Sequence, residues 1–280
     1  MSWTVIGALI LLSSQAFAED LEGRFTGGAD VQFVPGFVAT ILPLGLVTNN
    51  TEFCGGVLIN SSLVLTVASC MFGSNAAIIS AGFRTDNLVA EIATGQISYM
   101  TQIYYHPDFM RNTHINDIAI IRVYPPFNIT STVYPINLPK GSNVRGDAIG
   151  KNWQLTWFSF GNFNQTTMPD TMQSVEFTYL PTKNCTSIYA KKPYWYTLQK
   201  TLFCMAPSQT VGICPGDAGS PVIAVDKKTN KPFLVGLANR DTDDRCPVTP
   251  TATNKHTPDL FVRIDPFFKW IQSMGGPKSQ

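Results

Sequence analysis

An all-β fold is the class that this sequence predicts, on three observations. Short runs of apolar and β-branched residues, each about the length of one strand, recur along most of the chain. Its 21 glycines and 19 prolines fall largely between those runs, where turns need them. No long segment carries apolar residues at helical spacing. Many short strands punctuated in this way build a barrel or a sandwich.

The first residues stand outside that fold. Val5 to Leu12 is almost wholly apolar, and Ala16-Phe17-Ala18 before Glu19 fits a small-x-small cleavage site. Residues 1–18 therefore read as a secretory signal peptide, although the amino terminus is the only positive charge ahead of the apolar run. That run is well short of the roughly 20 residues that span a bilayer, and no later segment reaches that length. A short polar segment, 19–24, follows. Strands are then expected over Phe37–Leu42, Gly56–Ile59, Ala76–Ala81, Ile97–Tyr104, Ile118–Val123, Leu155–Phe160, Ser174–Leu180, Val222–Val225, Phe233–Ala238 and Leu260–Ile264. Only the end differs, where Pro266-Phe267-Phe268-Lys269-Trp270-Ile271 has apolar residues at helical spacing.

Composition narrows the functional classes. A chain of 280 residues suits one large domain or two small ones. With 20 basic and 19 acidic side chains the net charge is +1, which argues against a nucleic-acid or strongly acidic partner. Six cysteines behind a secretory leader imply disulfides, in any of 15 pairings. No C-x-x-C pair is present, so neither a zinc site nor any other metal or cofactor is expected. Asn49, Asn60, Asn128 and Asn164 head N-glycosylation sequons; Asn184 heads a fifth, poor one with Cys185 at its centre.

The chemistry is concentrated in Cys214-Pro215-Gly216-Asp217-Ala218-Gly219-Ser220-Pro221. It resembles the nucleophile segment of chymotrypsin-like (trypsin-family) serine proteases, C-x-G-D-S-G-G-P. Gly216, Asp217, Gly219 and Pro221 match, but Ala218 stands where the family has its serine, and a methyl group cannot attack a carbonyl. A second landmark, Cys54-Gly55-Gly56-Val57-Leu58-Ile59 followed by Thr66-Val67-Ala68-Ser69-Cys70, resembles the family's C-G-G-x-L-I and T-A-A-H-C. Ser69 takes the histidine's place, and its hydroxyl is far too weak a base near neutral pH. The third, D-I-A-L, is present as Asp117-Ile118-Ala119-Ile120. Of the triad positions Ser69, Asp117 and Ala218, only the orienting carboxylate keeps the family's residue type.

The resemblance covers nearly all of residues 24–274 and implies two six-stranded antiparallel β-barrels and a C-terminal helix, with the site in the cleft between the barrels. The homology domain would run over 25–274 and leave 275–280 as a tail. It implies the pairings Cys54–Cys70, Cys185–Cys204 and Cys214–Cys246 and a candidate activation cleavage after Arg24. The Gly216 and Ala218 amides take the oxyanion-hole positions. Ser159 and Ser220 replace family glycines, which argues against the family's loop torsions. The pocket positions are Gly212, Asn239, Arg240, Asp241 and Asp259; Gly212 does not support a trypsin-like preference, and Arg240 and Asp241 obstruct a substrate strand. Asp117 either accepts a hydrogen bond from the Ser69 hydroxyl or is retained for packing. His106, His114 and His256 lie off the catalytic position and read as loop residues.

The function expected is that of a secreted, non-catalytic protease homologue that binds another secreted protein, a protease or its substrate, within an extracellular protease pathway. The alternatives are an extracellular adhesion or binding protein unrelated to proteolysis and an active hydrolase with a rearranged site. Peptide mapping without reduction should return the three cysteine pairs above and no free thiol. A different pairing would remove the two-barrel assignment.

Overall fold

The computed structural model describes residues 29–31, 34–44, 53–82, 95–139, 145–160, 172–191, 198–207, 212–214, 216–225, 231–239 and 258–277. The strands are β1 (Ala29–Asp30), β2 (Val38–Leu44), β3 (Cys54–Asn60), β4 (Leu63–Thr66), β5 (Ala76–Ala81), β6 (Gln96–Tyr105) and β7 (Ala119–Tyr124) in the first part of the chain. The second part adds β8 (Leu155–Ser159), β9 (Gln173–Phe177), β10 (Tyr179–Leu180), β11 (Leu202–Met205), β12 (Pro221–Val225), β13 (Pro232–Ala238) and β14 (Leu260–Arg263). Short helices α1 (Ala68–Met71), α2 (Ala148–Asn152), α3 (Thr182–Tyr189) and α4 (Phe268–Ser273) interrupt or end them.

β2 to β7 close a six-stranded barrel in the order β2-β3-β4-β7-β6-β5. The other strands form an eight-stranded half-barrel, β1-β9-β8-β12-β13-β14-β11-β10, whose edge strands β1 and β10 have two residues each. All strand pairs are antiparallel. The two-barrel, chymotrypsin-like architecture is thus present, and each expected strand is found. Ser174–Leu180 is divided at Thr178 into β9 and β10. Strands β1, β4 and β11 and helices α1 to α3 were not expected from the sequence.

β4 shows why it escaped a reading by alternation. All four of its residues are buried. Val64, with Leu58 opposite it on β3, joins the inside of the closed barrel beside Ile41, Ile79 and Ile121. Leu63 and Leu65, with Val57 and Ile59, face a second cluster that includes Leu202, Leu234, Phe267 and Ile271. Both faces of this hairpin are covered, so it has no polar face and reads as a continuous apolar run. A third cluster fills the half-barrel, where Phe261 stacks on Phe177 and Phe203 and meets Trp157 edge-on.

Two disulfides close described loops, Cys54–Cys70 and Cys185–Cys204, with Cα atoms 6.3 and 6.2 Å apart. Cys214 is also disulfide-bonded; Cys246, its expected partner, lies outside the described residues. So do the signal segment, Arg24, Asn49, Asn164, Arg240 and Asp241. No helix among the described residues is long and apolar enough to cross a membrane.

The halves meet where β3 touches the turn before β12. The Gly55 N–H donates to Ala218 O at 2.8 Å, and Thr66 Oγ1 donates to Gly55 O at 2.8 Å. A Cβ on Gly55 would collide with the backbone of Ser220, and one on Gly219 with Gly55 O and Thr66 Oγ1. Gly55→Ala should therefore destabilise the fold by about 1–3 kcal/mol through overpacking. The check is a lower urea midpoint with an unchanged denaturant slope.

Candidate functional site

Asp117 lies two residues before β7 and is fully buried. A buried carboxylate needs donors on its oxygens. Oδ1 accepts the backbone N–H of Ser69 at 2.7 Å, and Oδ2 lies 3.1 Å from His114 Nδ1. A carboxylate only accepts, so the bond places the proton on His114 Nδ1. The Ser69 hydroxyl does not reach Asp117; it is buried and makes no hydrogen bond among the described residues.

His114 is the site residue that reading the sequence missed. Its side chain is 34% exposed, consistent with a loop position, but its ring occupies the Asp117 oxygen that Ser69 leaves open. The segment around it is unusual. His114 and Asn116 have φ of 52° and 51°, in the left-handed region, which costs roughly 1–2 kcal/mol for a residue with a Cβ. A narrow turn holds them: Met110 N–H donates to Ile115 O at 3.0 Å, and Asn116 Nδ2 donates to Asp108 O at 3.1 Å. The sequence signal was a histidine three residues before the aspartate, a spacing that carries no chemistry until the turn is known.

The turn before β12 carries Gly216, Asp217, Ala218, Gly219 and Ser220. Gly216 and Gly219 have φ of 93° and 85°, the conformations that glycine permits. Neither Ser159 nor Ser220 has a positive φ, so their side chains are not strained by left-handed torsions. Ser220 is integrated instead. Its Oγ accepts the buried indole Nε1–H of Trp157 at 2.6 Å and donates to Asp217 O at 2.5 Å. Asp217 is fully buried and accepts the Cys214 N–H on Oδ2 at 2.7 Å. The amides of Gly216 and Ala218 donate no hydrogen bond among the described residues.

Three of the expected pocket positions are described. Gly212 is buried beside Cys214. Asn239 is buried, its N–H donating to Leu260 O at 3.0 Å, and the half-buried Asp259 accepts Met205 N–H on its main-chain oxygen at 3.1 Å. No group of three or more His, Cys, Asp or Glu suited to a metal occurs among the described residues. His106 has a packing role: its ring meets Phe267 and Trp270 edge-on at 5.1 Å each, and Nδ1 accepts the Asp108 N–H at 3.2 Å. Burial lowers its pKa, against the weaker opposing pull of Asp108.

A trypsin family model matches residues 43–271. Serine protease 1 of Drosophila melanogaster is 26% identical over 261 residues, covering 92% of this chain and 88% of that protein. Kallikrein 1-related peptidase b27 of Mus musculus is 27% identical over 243 residues, 82% of each chain. Kallikrein-7 of Homo sapiens is 22% identical over 229 residues, 81% of this chain and 79% of that protein.

Asp117→Ala leaves the Ser69 amide and His114 without their acceptor and should cost about 1–3 kcal/mol for each donor left unmet. Ser69→Ala deletes only an unpartnered hydroxyl, so its melting temperature should equal or exceed that of the parent. The folded protein binds a proton at His106 less readily than the unfolded chain, whose imidazole titrates near 6.5. Stability from this group is therefore complete above that value and lost as pH falls through it toward the lower folded pKa. His106→Phe should flatten that limb of a stability–pH curve, measured by urea denaturation at a series of pH values.

Proposed function

Because the chain belongs to the trypsin family, we propose that it is a secreted homologue without proteolytic chemistry, acting by binding another secreted protein in an extracellular protease pathway. One observation carries the reading: Asp117, the only triad position that keeps its residue type, is bound to the Ser69 amide and His114, and position 218 is an alanine. Neither Ser69 nor Ala218 supplies the base or nucleophile of the family's mechanism. In a related mechanism, loss of the nucleophile or base alone lowers kcat by about 10⁶-fold. Secretion is supported by the leader-like residues 1–18 and by disulfides, which persist in oxidising compartments.

Recognition is assigned to loops carried on the rigid barrels. Arg240 and Asp241 at the former substrate-pairing rim disfavour a peptide adding there as a strand. The partner is then a secreted protease or a protease substrate held across a standard interface of roughly 1,600 Å².

The purified protein should hydrolyse no member of a broad peptide library above the solvent rate. Turnover that follows the protein through purification and survives inhibitors of contaminating proteases would overturn the proposal. Ala218→Ser alone should remain inert. Ser69→His with Ala218→Ser should stay weak, because the new imidazole must compete with His114 for Asp117 Oδ2. Adding His114→Leu should raise activity above that of the double variant in single-turnover assays. Partner affinity, measured after capture from the native secretion, should fall on substitution within Thr242–Arg245 and hold on substitution of Asp117, Ser69 or Ala218.

A further inference from the structure

One face of the closed barrel leaves large apolar side chains in water. Ile97, Tyr99 and Tyr124 are 37, 54 and 68% exposed. Tyr99 and Tyr124 are register partners on β6 and β7, and Ile97 and Tyr99 lie on the same side of β6, with Ser98 buried between them. Ile129, 49% exposed, follows five residues after the end of β7. Exposed aromatic and aliphatic groups gathered on one face mark a surface that something covers.

The segment that borders this face carries a sequon, Asn128-Ile129-Thr130. Phe127 is buried in the barrel core and its N–H donates to Ser61 O at 2.7 Å, which fixes the chain just before the asparagine. Gln96, the first residue of β6, grips Asn128 by its main chain: Nε2 donates to Asn128 O and Oε1 accepts Asn128 N–H, both at 2.7 Å. Ser98 Oγ donates to Pro125 O at 2.6 Å, so residues 125–128 run alongside the start of β6. Asn128 is exposed, and its carboxamide makes no hydrogen bond among the described residues. From Gln96 to Tyr99 the strand covers only about 10 Å.

Asn60, the other described sequon asparagine of the four candidates, is placed differently. Its Nδ2 donates to Gly275 O at 3.1 Å and its Oδ1 accepts the Ser62 N–H at 2.8 Å, tying the β3–β4 turn to the chain after α4. A sugar on Asn60 would have to share that nitrogen with the contact.

We propose that Asn128 is an N-glycosylation site and that its glycan covers the Ile97–Tyr99–Tyr124 face. The inference rests on the reading of the chain as secreted. The donor is a lipid-pyrophosphate-linked oligosaccharide. Asn128 Nδ2 attacks its anomeric carbon, and a C–N bond forms as the C–O bond to pyrophosphate breaks. The bonding pair leaves with the pyrophosphate, and one amide proton passes to a base of the transferring enzyme. The ring faces of Tyr99 and Tyr124 then offer flat apolar platforms for the C–H faces of the first sugars.

The test expresses the full chain in a eukaryotic secretory host. Glycopeptide mass spectrometry of the medium should find Asn128 modified and Asn60 bare. The Asn128→Gln protein should bind severalfold more of a hydrophobic dye such as anilinonaphthalene sulfonate than the glycosylated parent. Adding Tyr99→Ser and Tyr124→Ser should abolish that increase. Secreted protein bare at Asn128 overturns the site and leaves the secretion reading standing, whereas a chain retained in the cytosol overturns both. Unchanged dye binding in Asn128→Gln shows that the glycan does not cover this face, and overturns that half of the proposal.

Discussion

Two backbones touch at Gly55 and Gly219 with no space for a side chain between them, and the rest of the molecule is arranged around that contact. The hydrogen bond from Gly55 to Ala218 and the Thr66 hydroxyl on Gly55 O join the closed barrel to the turn before β12. Thr66 is the last residue of β4, and Ser69 follows three positions later in α1. The contact that holds the halves together thus lies three residues before Ser69 on one side and at Ala218 on the other. This geometry depends on glycine and on packing, not on the reactive groups, so substitution at 69 and 218 leaves it intact.

Asp117 obeys a different constraint. Once a carboxylate is fully buried, its oxygens must be met by donors or it becomes a heavy liability. An imidazole at position 69 would meet that need in a working member of the family; here a backbone amide and His114 meet it instead. The left-handed backbone at His114 and Asn116 fits this account, because an uncommon conformation persists only where surrounding contacts over-determine it. The aspartate thus has a reason to remain that involves no proton transfer.

Some strands were legible because they alternate, as β8 and β9 do. β8, for example, buries Leu155, Trp157 and Ser159 and leaves Thr156 and Phe158 less covered. β4 and β11 are wholly buried and carry no period of two; β12, β13 and β14 are nearly as buried and were legible only as apolar runs between turn residues. Helix α3 was hidden by its composition: Thr182, Lys183, Asn184, Thr186 and Ser187 form a largely polar face, with Cys185 and Tyr189 as its buried contacts. At the site, residue identities could be read directly from the motifs. The His114–Asp117 pair could not, because it depends on two positive φ angles that no local pattern announces. Nor did the sequence reveal that Ser220 had found a partner on a strand 63 residues away.

That partnership makes the chain's history hard to retrace. Where the family has glycine this protein has Ser220, and the indole of Trp157 has come to rely on its oxygen in the fully buried interior. Restoring the family's glycine would remove the oxygen that accepts this indole N–H. Replacing the tryptophan first would open a cavity among Phe261 and its neighbours. The two residues support each other. The turn before β12 is thereby anchored to β8, so a change at either residue is felt at both.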